Sequence, residues 1–198
     1  MNARKPARTR RYLTVLVTLA VLGLLLWEHV HGGIAIHHVL NRPDLPAISN
    51  AWGAAVLPAL AWLLIGRIQT RIAARPPTDA TADRVPADVV AGFVGSLLFG
   101  IGLSVAFATD SSAISSTMFF GAFVFGMFLP IHRAECVLGF VLGMTFTFGG
   151  VLPVFIGSVI AAVAAFFNRY VHPALGWLAV KFKRSPAPVA DRGVVSGE

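Results

Sequence analysis

Apolar runs recur along this chain at lengths suited to crossing a bilayer, with short polar stretches between them. They cover about residues 12–27, 48–68, 88–109, 114–130, 134–148 and 151–170. A helix needs roughly 20 apolar residues to cross the hydrocarbon core. The fourth and fifth runs are a little short for that, so their limits are the least sharp. Read as alternating spans, the pattern predicts an all-α integral membrane protein, a bundle of six transmembrane helices. The count falls to five if residues 136–170 form one long helix. Gly149-Gly150 followed by Pro153 reads instead as a turn. A single helix of that length would reach about 50 Å, well beyond the bilayer thickness.

The basic residues orient the bundle. Of the 16 Lys and Arg residues, all but Arg42 fall on one side of the alternating spans. Arg4, Lys5, Arg8, Arg10 and Arg11 precede the first span, and Arg67, Arg71, Arg75 and Arg84 lie between the second and third. Arg133 lies between the fourth and fifth, and Arg169, Lys181, Lys183, Arg184 and Arg192 close the chain. Basic residues are retained on the cytoplasmic side, so the N- and C-termini are expected to be cytoplasmic. Five spans would break this rule by placing the basic tail outside.

Composition agrees. Mean hydropathy is +0.75 and 13% of residues are charged, against about 25% in soluble domains. The formal charge of +7 sits beside apolar spans, where it meets anionic inner-leaflet lipids rather than nucleic acid. No nucleic-acid partner is expected, because no soluble module is present to carry one. Arginine outnumbers lysine, and Ala and Gly are abundant. That composition points to a GC-rich bacterial genome and hence to the bacterial inner membrane. The basic lead and first apolar run resemble a signal peptide, but Glu28-His29-Val30-His31 follows in place of a small-residue cleavage site. The first run is therefore read as an uncleaved span.

The chain divides into a basic cytoplasmic tail (1–11), a six-helix transmembrane domain (12–172) and a C-terminal part (173–198). The domain carries an external His-rich segment (28–47) and a cytoplasmic linker (69–87). Leu175, Leu178 and Phe182 share a helical face, which fits an interfacial helix; a simple extension of the last span is the alternative. The tail from Arg184 onward has the composition of a disordered segment.

Small residues recur every fourth position in the later spans: Gly92, Ser96, Gly100 and Ser104; Gly139, Gly143 and Thr147; Gly157, Ala161 and Ala165. Residues four apart share a helix face, so each row is a groove that admits a close neighbour. Tight internal packing is the first expectation. A homodimer face or a solute path are the alternatives.

Candidate chemistry concentrates after the first span. His29, His31, His37 and His38, out of 6 histidines, lie there with Glu28 and Asp44. Imidazole ligates divalent transition metals and carboxylates supplement it. His31, His37, His38, Glu28 and Asp44 are therefore the candidate metal ligands. Gly32-Gly33 permits the bend that would bring them together. The spacing matches neither H-E-x-x-H nor the repeated histidine boxes of membrane desaturases. The competing expectations are histidines bonded to headgroups and loop backbone, and titration between pH 5 and 8 as a response to external pH. Asp44 or Ser49 is expected to cap the second helix, and Asn50, Trp52 and Pro58 would carry an outer site inward. Residues 109–117 form a second external loop rich in oxygen donors, whose Ser and Asp are expected to cap the fourth helix. His132, Arg133 and Glu135 read as a solvated cytoplasmic turn, and His172 as cytoplasmic.

No ionisable residue falls at mid-membrane depth in the later spans, where proton-coupled transporters bury theirs. Walker, nucleophile-elbow and redox-cysteine patterns are missing. The lone Cys136 excludes an internal disulfide. Gly143-Met144 followed by Leu152-Pro153-Val154-Phe155-Ile156-Gly157 resembles a helix-pair segment of the oligopeptide and metal-chelate transporter family, and Gly126-Met127-Phe128-Leu129-Pro130 echoes its first part. The likeness covers a short part of the chain and does not establish membership. The expected role is a small transport or accessory component with an outward His-rich site. A metal-dependent membrane enzyme and a scaffold without a chemical site are the alternatives.

Overall fold

The computed structural model describes residues 4–33, 36–38, 47–75, 85–109 and 111–183. The helices are α1 (Arg4–Val30), α2 (Gly53–Ala73), α3 (Ala87–Ala108), α4 (Ser112–Phe128), α5 (Ala134–Phe148), α6 (Val151–Phe166) and α7 (His172–Lys183). Two short strands, β1 (Ile36–His38) and β2 (Ala47–Ser49), pair antiparallel between α1 and α2, with Ile36 opposite Ser49. A 3₁₀ turn over Asn50–Trp52 leads from β2 into α2.

Four helical stretches are long and apolar enough to cross a membrane: Ala7–Val30, Asn50–Ala73, Ala87–Ala108 and Val151–Trp177. The helices Ala113–Phe128 and Ala134–Phe148 are apolar but shorter. Large apolar side chains face outward on several helices, among them Leu19 (61% exposed), Phe120 (68%), Phe146 (75%) and Phe155 (67%). An apolar exterior of that extent is expelled by water and matches hydrocarbon, which makes this a membrane protein.

Several boundaries differ from those predicted. Helix α1 begins at Arg4, not near residue 12, because Arg, Lys and Ala continue a helix as readily as apolar residues do. Helices α6 and α7 are joined without a break by a π-helical turn over Phe167–Val171, the extension of the last span given above as the alternative. Residues 136–170 do not form one helix: α5 stops at Phe148, and Gly149 takes φ +69. That left-handed conformation costs Gly little and other residues more. The predicted disordered tail from Arg184, residues 76–84 of the predicted linker, and residues 34–35 and 39–46 of the His-rich segment lie outside the described residues.

Two caps were expected. Ser49 caps the 3₁₀ turn that precedes α2, its Oγ accepting from Ala51 N–H at 3.2 Å, while α2 itself begins without a side-chain cap. Ser111 stands at the start of α4 without a side-chain cap bond, and Asp110 lies outside the described residues.

Contacts between helix ends fix the direction of each helix. Arg10 Nε donates to the Trp62 carbonyl at 2.9 Å and its guanidinium covers the Trp62 ring, while Asn50 Nδ2 donates to Glu28 Oε1 at 2.8 Å. Helices α1 and α2 are therefore antiparallel. Arg71, near the end of α2, reaches Glu135 at the start of α5, and Gly53 touches Gly150 at the far end. Helices α3 and α5 run parallel. Gly92 meets Glu135, Ser96 meets Gly139, Gly100 meets Gly143 and Phe107 meets Phe148 along their length. The two small-residue rows thus face one another inside the chain. A Cβ added at Gly100 would lie 2.7 Å from the Phe140 carbonyl oxygen, and one at Gly143 would lie 2.5 Å from that of Leu97. Ser104 Oγ donates across the same seam to the Gly143 carbonyl at 3.3 Å. Leu57, Leu103, Val141 and Met144 form the buried core beside it.

Candidate functional site

Two polar regions lie at opposite ends of the bundle. The first contains the end of α1 and the start of α2. Glu28 is half-buried and accepts the bond from Asn50, which is itself buried. Asn50 also fills the space beside Gly149, where a Cβ would collide with its Oδ1. His31 is exposed, stacks on Trp27 at 3.7 Å, and bonds through Nδ1 to the Trp27 carbonyl at 2.9 Å. Two of the candidate metal ligands, His31 and Glu28, thus have structural partners. The backbone of His37 and His38 belongs to β1, and Asp44 lies outside the described residues. Among the described residues no three His, Cys, Asp or Glu side chains converge on a point that would hold a metal.

The second polar region was not anticipated. The end of α2, the start of α3 and the start of α5 bring Arg71, Arg75, Asp88, Arg133 and Glu135 together. Arg75 grips Asp88 with two bonds, Nη1 to Oδ1 at 2.9 Å and Nη2 to Oδ2 at 2.6 Å. Those bonds raise the Arg75 pKa above its ordinary value. Arg71 and Arg133 each stand 3.7 Å from Asp88 Oδ2. Glu135 is 1% exposed, which overturns the expectation of a solvated turn. It is accommodated because Gly92 has no side chain: a Cβ there would lie 3.1 Å from Glu135 Cγ.

The charge on Glu135 is answered by Arg71, whose Nη2 approaches Oε1 at 2.6 Å. The approach is off the line of a hydrogen bond. Neither Glu135 oxygen accepts one, and Arg71 Nε and Nη2 donate none. Buried polar groups are nearly always hydrogen-bonded, so an unsatisfied carboxylate calls for an explanation. Pairing limits the cost of burying the charge but leaves the lone pairs unused.

Glu135 also lines a cavity, although its two oxygens are themselves buried. A partly open space of about 370 Å³ lies among α3, α4, α5 and α6, with Glu135, Asp88, Arg133 and Cys136 at its polar end. Phe99, Phe140, Ile160 and Ala161 form its apolar walls, and Gly92, Gly95 and Gly157 leave its volume empty of side chains. Phe125 and Leu129, 58% and 50% exposed, mark its open side. Small-molecule sites are commonly hollows of roughly 300–1,000 Å³ with apolar walls and a few convergent polar groups. At the same end, the turn beside Pro130 is tied to the last helices. Asn168 Nδ2 donates to the Leu129 carbonyl and His172 Nε2 bonds the Met127 carbonyl at 2.7 Å.

Sequence reasoning missed this site because it weighed Glu135 with His132 on one turn. A usable signal was present: in an alternating bundle Arg71, Asp88, Arg133 and Glu135 all fall at the same membrane face. No protein-family model, curated protein or solved structure matches the chain.

Proposed function

We propose that the chain is a six-span protein of the bacterial inner membrane with both termini in the cytoplasm. In this reading it is a small transport or accessory component that holds a small molecule in the cavity among α3–α6. Orientation rests on the one-sided basic residues, and the span count on the alternating helix directions. The observation that carries the binding role is the apolar hollow itself, with the part-exposed guanidinium of Arg133 at one end. Apolar walls with a few polar groups at one end are the usual form of a small-molecule site.

Cys136, the single cysteine, lines the same space and reports on it. N-ethylmaleimide should label it in the native protein in lipid nanodiscs. Gly95→Phe should slow labelling several-fold, since a Cβ at Gly95 meets nothing within 4 Å and the ring would occupy the hollow. A thiol that reacts only after denaturation in sodium dodecyl sulfate would show the cavity closed to solutes and end this reading.

A second reading places a divalent transition metal in the 28–47 segment, held by His31, His37, His38, Glu28 and Asp44. Its support is the pairing of β1 with β2, which returns His37 and His38 to the start of α2. About one metal per chain, lost in the His31/His37/His38→Ala variant, would support it. Absence of metal after incubation with zinc, copper, nickel and iron salts would remove it, along with the enzyme reading that depends on it.

A further inference from the structure

We infer that the cavity among α3–α6 takes a single-chain amphiphile with an anionic head, a carboxylate or phosphate, seated on Arg133 with its chain along the apolar walls. The inference rests on the cavity being a binding site and adds the chemical class of its occupant.

The charge balance at the polar end supplies the first argument. Two of the carboxylate–guanidinium pairs are short, Arg75 with Asp88 and Arg71 with Glu135, each with an approach of 2.6 Å. Arg133 is left over. Among the described residues its one ion pair is the 3.7 Å approach to Asp88, which keeps both bonds from Arg75 whether Arg133 stays or turns away. A guanidinium presents five donors in a planar fork suited to carboxylate or phosphate. Arg133 lines the cavity and is 40% exposed, so an incoming head reaches it without displacing a buried contact.

The walls supply the second argument. Behind the charged end stand Phe99, Phe125, Phe140 and Ile160, a surface for hydrocarbon rather than for a polar solute. At about 370 Å³ the hollow lies near the lower limit for small-molecule sites and suits one chain better than two.

The test uses the full chain in phosphatidylcholine nanodiscs and the N-ethylmaleimide labelling rate of Cys136. Dodecyl phosphate and dodecanoate, below their micellar concentrations, should each slow labelling at least about fivefold, a large effect for a thiol on the cavity wall. Dodecyltrimethylammonium should not. Arg133→Gln, measured against its own unprotected rate, should need about tenfold more dodecyl phosphate for half protection, the loss expected for one charge-assisted contact. Arg67→Gln makes the same charge change on an exposed position outside the cavity lining and should protect like the parent. Equal protection by the cationic amphiphile, or undiminished protection in Arg133→Gln, overturns the inference while leaving the cavity a binding site. Protection in phosphatidylglycerol nanodiscs without added amphiphile would make the occupant a bilayer lipid and overturn the single-chain assignment. A thiol unreactive in every native sample defeats the binding reading itself.

Discussion

Substituting Gly143 by Ala tests the close α3–α5 seam on which the cavity depends. The added methyl group would sit 2.5 Å from the Leu97 carbonyl oxygen and 3.0 Å from the Ile101 nitrogen. Both are backbone atoms of α3, so no side chain can swing aside and the two helices must separate. Overpacking of this kind costs about 1–3 kcal/mol, and contact with rigid backbone places it toward the upper end. Ala gains about 0.8–1.0 kcal/mol over Gly in helix propensity. The net is a loss of about 1–2 kcal/mol. Gly121→Ala on α4 isolates the propensity term, because a Cβ there meets nothing within 4 Å. It should be neutral or stabilising by up to about 1 kcal/mol. The two substitutions are chemically identical and should move stability in opposite directions. Unfolding in mixed micelles titrated with sodium dodecyl sulfate, followed by circular dichroism, reads both. Coincident midpoints for Gly143→Ala and Gly121→Ala would refute the packing of α3 on α5 described above.

The same titration checks the buried pair: Arg71→Met alone should cost about 3–5 kcal/mol by stranding Glu135, and Arg71→Met with Glu135→Leu should recover most of it. A double variant no more stable than the single one would mean that the carboxylate is not held by Arg71. Gly149→Ala should cost about 2 kcal/mol or more, since it combines a left-handed backbone position with a collision against Asn50. Adding Asn50→Ala should relieve the collision and leave the backbone part, and simple additivity of the two substitutions would argue against their contact. His132 has its pKa pushed below the ordinary 6.5, first by partial burial and then by the Arg133 guanidinium. The native state therefore favours the neutral ring. Its contribution is complete above pH 6.5 and declines as pH falls through the lower native value. Melting measured at pH 7.5 and pH 5.5 should show a smaller acid-induced drop in His132→Asn than in the parent, and equal drops would dismiss the linkage.

Much of the architecture was legible because its causes are local. The Gly149-Gly150-Pro153 pattern announced the break between α5 and α6, and the every-fourth-residue rows announced a close helix crossing. Which rows would meet was not legible, since facing Gly100 to Gly143 depends on helix rotation that no local pattern encodes. The ion cluster escaped for a related reason. Arg71, Asp88 and Glu135 come from separate helices, and the burial of Glu135 depends on space left by Gly92 on another one. The π-helical turn at Phe167–Val171 also has no composition that separates it from α-helix. The His-rich segment was conspicuous by composition, and among the described residues no three metal-ligating side chains meet there.

The parallel run of α3 beside α5 also constrains how the chain is made. Helices α1 and α2 are neighbours in sequence and can pack as a hairpin once the second has entered the membrane. Helix α3 cannot do the same. In the six-span arrangement proposed above, its glycine groove waits in lipid while α4 is synthesised and inserted, and closes only when α5 arrives. The pairing that supports the cavity is therefore a late, long-range step, and such steps are the slower ones. Until then α3 exposes a surface that would accept another glycine-rich helix. A pause or truncation after α4 leaves that surface open, so partly synthesised chains are the form most prone to wrong association in the bilayer.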